Sequence, residues 1–121
     1  MTTHSDIFIK APDSIALADF AKLAFQALGV LDYEERESDH YVEGLYFCSV
    51  GHDPEIEICY TDHVRLSGHR FWCSVTADSL PADTYANKSA VLLAELGNEC
   101  FVPTPGWYRN DWNGSGSQFT A

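Results

Sequence analysis

The length, composition and charge of the chain limit the kind of protein it can be. Its 121 residues suit one domain, and 45% hydrophobic with 13% aromatic residues exclude a disordered or low-complexity protein. Eighteen Asp and Glu against seven Lys and Arg give a net charge of −11 at pH 7. A chain this negative is not expected to bind nucleic acid or an anionic membrane, and it would attract basic partners.

The chain lacks the signals that would send it to a membrane or out of the cell. It has no basic leader before an apolar segment, and no stretch approaches the ~20 consecutive apolar residues of a membrane span. We therefore expect a soluble, cytoplasmic protein. Cys48, Cys59, Cys73 and Cys100 are widely spaced in apolar, strand-like segments, so we expect reduced core thiols. Cys48 and Cys59 could lie opposite each other across a hairpin.

A strand followed by a helix is predicted at the start of the chain. Residues 6–10 form a short apolar run with β-favouring side chains. Apolar residues then recur with helical spacing over residues 15–28, and Gly29 follows as a left-handed C-cap. Asp13 or Ser14 would cap the beginning of this helix.

A polar link over residues 31–40 leads into three predicted strands. Residues 41–50 are rich in aromatic and β-branched side chains, which favours one long strand. Residues 55–60 alternate strictly, so that the isoleucines face a core and the glutamates face water. Residues 71–77 form the third strand of this meander.

A second helix and a short strand complete the regular elements. The helix extends to residue 96, with Ser79 as its candidate N-cap and Gly97 as its terminator. Residues 100–102 form the last predicted strand. Residues 104–121 are rich in turn-forming residues and are predicted to be an irregular tail, docked at most through its aromatic side chains.

The order β-α-β-β-β-α-β predicts one α+β domain over residues 1–103. Two right-handed crossovers would place both helices on one face of an antiparallel sheet of about five strands. The result would be a two-layer sandwich, a relative of the ferredoxin-like arrangement.

The candidate catalytic and metal-binding groups lack the spacing that their chemistry requires. His52, His63, His69 and Cys73 cluster in the sequence, but they match no zinc-binding motif. A thiol beside His63 is the only set that could join a nucleophile to a base, and no catalytic motif surrounds it. We therefore predict a non-catalytic protein with no metal site and no cofactor.

Most of the negative charge lies in one continuous segment. Residues 32–62 contain ten acidic residues and one basic residue, which gives −9 of the total −11. Tyrosines are interleaved with these acids, and a protein-binding surface uses rings for contact area and acids to steer a basic partner. Solubility also favours acidic residues, but it does not confine them to one hairpin and its leader. The predicted partner-binding residues are Asp32, Tyr33, Glu34, Glu35, Glu37, Asp39, Tyr41, Asp53, Glu55 and Glu57.

The middle of the chain resembles a class of small bacterial proteins. Residues 33–47 (YEERESDHYVEGLYF), the alternating acidic strand and residues 69–75 (HRFWCSV) resemble immunity-type proteins that neutralise toxin domains. The resemblance covers residues 33–77. It implies a cytoplasmic inhibitor that binds a basic cognate toxin, often a nuclease or deaminase, and blocks its active site. It assigns no functional residues, because such proteins share none.

Two alternative functions remain open at this point. A DNA-mimic inhibitor, of the anti-restriction or anti-CRISPR kind, would use the same acidic segment. A small-ligand-binding or enzymatic α+β domain would instead use the sheet face opposite the helices, with Trp72, His63 and Cys73. The sequence makes no prediction of the oligomeric state.

Overall fold

Seven strands and two helices make up the computed structural model, which describes residues 2–11, 15–63, 66, 68–78, 81–109 and 111–120. The helices are α1 (Leu17–Ala27) and α2 (Ala82–Glu95). The strands are β1 (Thr3–Lys10), β2 (Tyr33–Glu37), β3 (Leu45–Ser49), β4 (Glu55–Tyr60), β5 (Phe71–Ala77), β6 (Glu99–Pro103) and β7 (Gly116–Phe119). A 3₁₀ turn, Val42–Gly44, separates β2 from β3.

The described strands form one sheet in the order β2-β3-β4-β5-β1-β6-β7. Every neighbouring pair is antiparallel. The predicted α+β class, with an antiparallel sheet and two helices, is confirmed. The prediction of about five strands is wrong, because the described part of the chain has one further strand at each edge of the sheet.

The two additional strands lie in segments whose composition is not typical of a strand. β2 (YEERE) carries four consecutive charged residues, which suggested a polar link. β7 (GSQF) lies in the segment 104–121, which was expected to be irregular, and it pairs with β6. An edge strand can be polar because one of its long sides and part of each face meet water, so neither strand shows the apolar pattern of a buried one.

The predicted long strand over residues 41–50 is also wrong at its start. Glu43 and Gly44 both have positive φ, 60° and 69°, so the chain turns there and β3 begins only at Leu45. The Ser38 N–H donates to the Gly44 C=O at 2.9 Å and closes the connection. The strand propensity of this segment was overridden by a turn that returns the chain beside β2.

The helix ends agree with the sequence at their C-termini. Gly29 and Gly97 follow the two helices with φ of 74° and 95°, the left-handed conformation that glycine adopts without strain. The predicted N-cap residues Asp13, Ser14 and Ser79 lie outside the described residues. Neither described helix has the length and apolar character needed to cross a membrane.

Both helices pack on the same face of the sheet. Their buried side chains form one core with strand residues such as Ile7, Ile58 and Val75, all fully buried. Side chains alternate along a strand, so Phe8 points to the opposite face, where it forms a smaller cluster with Leu66 and Trp107. The sheet therefore has a helix-covered face and a second face, which we call the open face.

The four thiols are free and buried, as expected, but Cys48 and Cys59 do not lie where the hairpin interpretation placed them. Cys48 pairs with Glu57 and Cys59 pairs with Tyr46, so the two cysteines are not directly opposite each other. Burial raises the pKa of Cys59 to about 12, so it is protonated at neutral pH.

Phe20 provides a test of the packing between α1 and the sheet. Its ring stacks on Phe71 with a centroid distance of 4.3 Å and an interplanar angle of 5°. Phe20→Ala should lower the free energy of unfolding by roughly 3–5 kcal/mol, because the cavity cannot refill. Leu23→Ala, at a half-exposed site on the same helix, should cost no more than about 1 kcal/mol. Urea unfolding measures both, and equal losses would contradict the packing described.

Candidate functional site

The predicted acidic surface lies at one edge of the sheet. β2 is the terminal strand, and five predicted acids are exposed along it and its flanks. They are Asp32, Glu34, Glu35, Glu37 and Asp39. We call residues 32–39 the acidic edge.

The charges of the acidic edge are distributed over both faces of the sheet. Glu35 pairs with Phe47, a core residue, and so lies on the helix-covered side, whereas Glu34 pairs with Cys48 and lies on the open side. Arg36, the one base of the acidic edge, forms an ion pair with Glu34. Within the described residues Glu35 and Glu37 form no ion pair, so their charges are available to a partner.

An open groove continues from the end of the acidic edge. It has a volume of about 660 Å³ and is lined by Glu37, Ser38, Asp39, Glu43, Gly44 and Leu45. Three of these lining residues are acidic. The groove extends the negative surface beyond the last residue of β2 and could receive a long basic side chain.

Apolar side chains lie at the opposite end of the acidic edge. Leu31 is 92% exposed and Val50 is 46% exposed. The two line the same 200 Å³ cavity, and the Val50 N–H donates to the Asp32 C=O at 3.0 Å. A partner that covers the acidic edge would therefore also meet apolar area at this end.

The other predicted partner-binding residues have different surroundings. Tyr33 stacks on Phe25 of α1 with centroids 4.5 Å apart, so it anchors β2 to the core. Tyr41 donates its hydroxyl proton to Glu57 and stacks on Tyr46 at 4.2 Å. Burial, followed by this hydrogen bond, raises the pKa of Tyr41.

Asp53 and Glu55 lie away from the acidic edge. Asp53 precedes β4 and accepts a hydrogen bond from the Asp78 N–H at 3.3 Å. Glu55 is exposed at the beginning of β4, opposite Thr76 of β5. The structure thus brings six of the ten predicted residues together in the acidic edge, the five exposed acids and the half-buried Tyr33, and gives the other four separate positions.

A second polar group, which the sequence did not reveal, lies on the open face. Asp6 of β1 is 4% exposed and accepts four hydrogen bonds. Its Oδ1 accepts from Trp72 Nε1 at 2.8 Å, from His4 Nε2 at 3.0 Å and from Ser74 Oγ at 3.1 Å. Its Oδ2 accepts from Trp107 Nε1 at 2.8 Å.

These donors come from three parts of the chain. His4 is on the same strand as Asp6, and Ser74 is the direct cross-strand partner of Asp6 on β5. Trp107 belongs to the turn-rich segment after β6, and its ring meets Phe8 edge-on at 5.1 Å. The carboxylate therefore fastens the C-terminal segment to the open face.

The surroundings of Asp6 suit a positioning role. Burial alone would raise its pKa, but the hydrogen bonds from His4, Trp72 and Trp107 outweigh burial and hold the pKa below its ordinary value. The hydrogen bond to Asp6 in turn raises the pKa of His4. A carboxylate that is saturated with donors and hard to protonate is a poor general base.

A cavity of about 200 Å³ lies beside this carboxylate. It is lined by His4, Ser5, Asp6, Pro103, Pro105, Gly106, Trp107 and Tyr108. Of the residues considered for an open-face ligand site, Trp72 and His63 contact the Trp107 ring edge-on, at 5.9 Å and 5.0 Å, but neither lines this cavity. Cys73 lies on the helix-covered face, fully buried, so the predicted trio is not brought together.

The histidine and cysteine cluster does not form a metal centre in the described part of the chain. No group of three His, Cys, Asp or Glu side chains there could hold a metal ion. The sequence did contain a signal for the Asp6 group. His4, Asp6 and Phe8 alternate with the isoleucines of β1, and a buried carboxylate needs donors such as the indoles of the C-terminal segment.

Comparison with known proteins gives no match, whether to a protein-family model, a curated protein or a solved structure. Function is therefore inferred from the residues and geometry of this chain alone.

Asp6→Asn tests the fastening of the C-terminal segment. Asparagine keeps only one acceptor oxygen, and its NH₂ group would face N–H or O–H donors that now have no acceptor. The free energy of unfolding should therefore fall by about 3 kcal/mol. Tryptophan fluorescence should report the loosened Trp107 ring. Asp111→Asn, at an exposed site in the same segment, is the control. A variant as stable as the control would show that the hydrogen bonds contribute little.

The His4–Asp6 pair predicts how stability depends on pH. The pKa of Asp6 is lowered from 3.8, so its contribution is present above pH 3.8 and is lost as pH falls through the folded-state pKa. The pKa of His4 is raised from 6.5, so its contribution is complete below pH 6.5 and is lost as pH rises through the folded-state pKa. The free energy of unfolding, measured with urea, should therefore differ most between wild type and His4→Asn from pH 3.8 to pH 6.5. A difference that is constant with pH would contradict the ion pair between His4 and Asp6.

Proposed function

We propose that this protein is a non-catalytic inhibitor that binds a basic protein through its acidic edge. The observation that carries the proposal is the excess of carboxylates over bases on this exposed edge strand and its flanks. An acidic groove continues from the end of the strand. The partner in this proposal is a bacterial toxin domain, and the protein acts as its immunity protein in the cytoplasm.

The spacing of the charges supports steering of a basic partner. Alternate residues of a strand, such as Glu35 and Glu37, lie about 7 Å apart, within the ~8 Å screening length at physiological salt. The carboxylates therefore repel one another by about 0.6 kcal/mol per pair in water without salt, and by less at physiological salt, and they act together on an approaching cation. A basic partner would relieve this repulsion as it binds.

The apolar residues beside the acidic edge support the proposal of a stable complex, in addition to electrostatic steering. Electrostatic complementarity mainly raises association rates, whereas buried apolar anchors slow dissociation. Leu31 and Val50 supply exposed apolar surface directly beside Asp32. The acidic edge thus combines the polar and apolar elements of a protein interface.

The chemistry of the open face gives less support to an enzymatic function. Asp6 has its acceptor positions occupied and a lowered pKa. Burial raises the pKa of Cys59 to about 12, which removes the thiolate that a nucleophile needs, and Cys100 on the helix-covered face has its pKa raised to about 12 in the same way. A DNA-mimic inhibitor would use the same acidic edge, and it differs in that the target's nucleic-acid groove becomes occupied.

We also propose a relationship of the fold to the ferredoxin-like two-layer sandwich. Four adjacent strands of the sheet have the order β6-β1-β5-β4, and the helices follow β1 and β5 in the chain. Removing β2, β3 and β7 from the edges leaves the β-α-β-β-α-β sequence of that arrangement.

The product of the neighbouring gene is the partner to test. Co-expression with the wild-type protein should restore growth where that product alone arrests it. A triple variant of Glu34, Glu35 and Glu37 to Lys should bind roughly 100-fold more weakly at low salt and fail to protect. The control changes net charge equally elsewhere, by converting Asp78, Glu95 and Asp111 to Lys. Equal effects of the two triples, or no interaction, would overturn the proposal.

A further inference from the structure

The hydrogen bonds at the two ends of β2 determine which way its backbone groups point. The Val50 N–H donates to the Asp32 C=O at 3.0 Å, and the Ser38 N–H donates to the Gly44 C=O at 2.9 Å. Both pairs continue the register of β2 with β3. In an antiparallel ladder hydrogen-bonded pairs alternate with non-bonded pairs, so Glu34 and Arg36 are the β2 residues that bond to β3.

The odd-numbered residues of β2 consequently direct their backbone away from the sheet. The N–H and C=O groups of Tyr33, Glu35 and Glu37 point to the outer side of the terminal strand. Such a row of backbone donors and acceptors is a template on which another strand can pair.

The charges on β2 select which strand can pair there. A second copy of β2 would place glutamates against glutamates, and like charges across a strand pair are destabilising. A strand with lysine or arginine at alternate positions would instead meet Glu35 and Glu37 on one face. The opposite edge, β7, has only four residues and no charged side chain, so it would not favour a basic strand over any other.

We propose that the basic partner binds by adding a strand to β2. The inference rests on the proposed function and specifies its mode of recognition. The partner contributes a segment of about five extended residues with alternating basic side chains. At one end of this segment a basic side chain enters the acidic groove beside Asp39 and Glu43, and at the other an apolar side chain contacts Leu31.

Amide exchange with a defined peptide tests strand addition directly. The probe is an eight-residue peptide of alternating lysine and valine, added to the ¹⁵N-labelled protein at low salt. The amide hydrogens of Tyr33, Glu35 and Glu37 should exchange at least roughly tenfold more slowly, because each gains a hydrogen bond. The amides of Glu34 and Arg36 already bond to β3 and should change less. A peptide of alternating glutamate and valine is the control.

A proline substitution separates the backbone contribution from the charge. Glu35→Gln removes one charge, whereas Glu35→Pro also removes an outward N–H without touching the bonds to β3. The proline variant should bind the lysine–valine peptide at least roughly tenfold more weakly than the glutamine variant. Protection of the Val50 and Ser38 amides verifies that β2 and β3 still pair. Glu37→Pro and Glu37→Gln form a second matched pair if Glu35→Pro does not fold.

The outcomes distinguish strand addition from binding by charge alone. Equal weakening by proline and glutamine, or peptide binding without slower exchange at the odd-numbered residues, would overturn strand addition and leave the acidic edge as a charge-based site. Absence of peptide binding, or protection confined to β7, would overturn it as well. The growth experiment with the neighbouring gene product decides the proposed function separately, so the two failures are distinguishable.

Discussion

The buried carboxylate of Asp6 holds together the half of the molecule that the helices do not cover. An unpaired charge at this depth would destabilise the fold by several kcal/mol, so its four donors are a requirement. One of these donors, Trp107, belongs to the segment after β6. Satisfying the carboxylate therefore draws that segment across the open face and covers Phe8. The same contact brings the chain back toward β6, where β7 pairs.

This arrangement gives the two edges of the sheet different properties. β7 is short and uncharged, and it follows the segment that Asp6 fastens. Among the described strands β2 has no neighbour on its outer side, and it carries charges of mostly one sign. Charged side chains are a common protection of an edge strand against self-association. A single sign of charge protects against copies of the same strand while leaving it attractive to a strand of opposite charge.

The sequence predicted the elements that depend on local or core-forming signals. Gly29 and Gly97 ended the helices as expected, and the alternating pattern of residues 55–60 identified β4 and its core face. It did not reveal β2 or β7, since an edge strand can satisfy its backbone with little apolar pattern. Nor did it reveal the Asp6 group, because Trp107 lies 101 residues from its acceptor and only the folded chain brings them together. The acidic segment was recognisable, but its division between two faces depends on strand register.

That register is fixed by the contacts of one aromatic side chain. Tyr33 is the only uncharged residue of β2, and it packs on Phe25 and faces Phe47 from the core side. A slip of one residue would turn Tyr33 to the open side and bring a glutamate against the core, at a cost that the neighbouring hydrogen bonds could not offset. The core contact of Tyr33 thus determines that Glu35 and Glu37 direct their backbone groups outward. Tyr33, the uncharged residue of this strand, thus sets the geometry with which the charged residues of β2 would meet a partner.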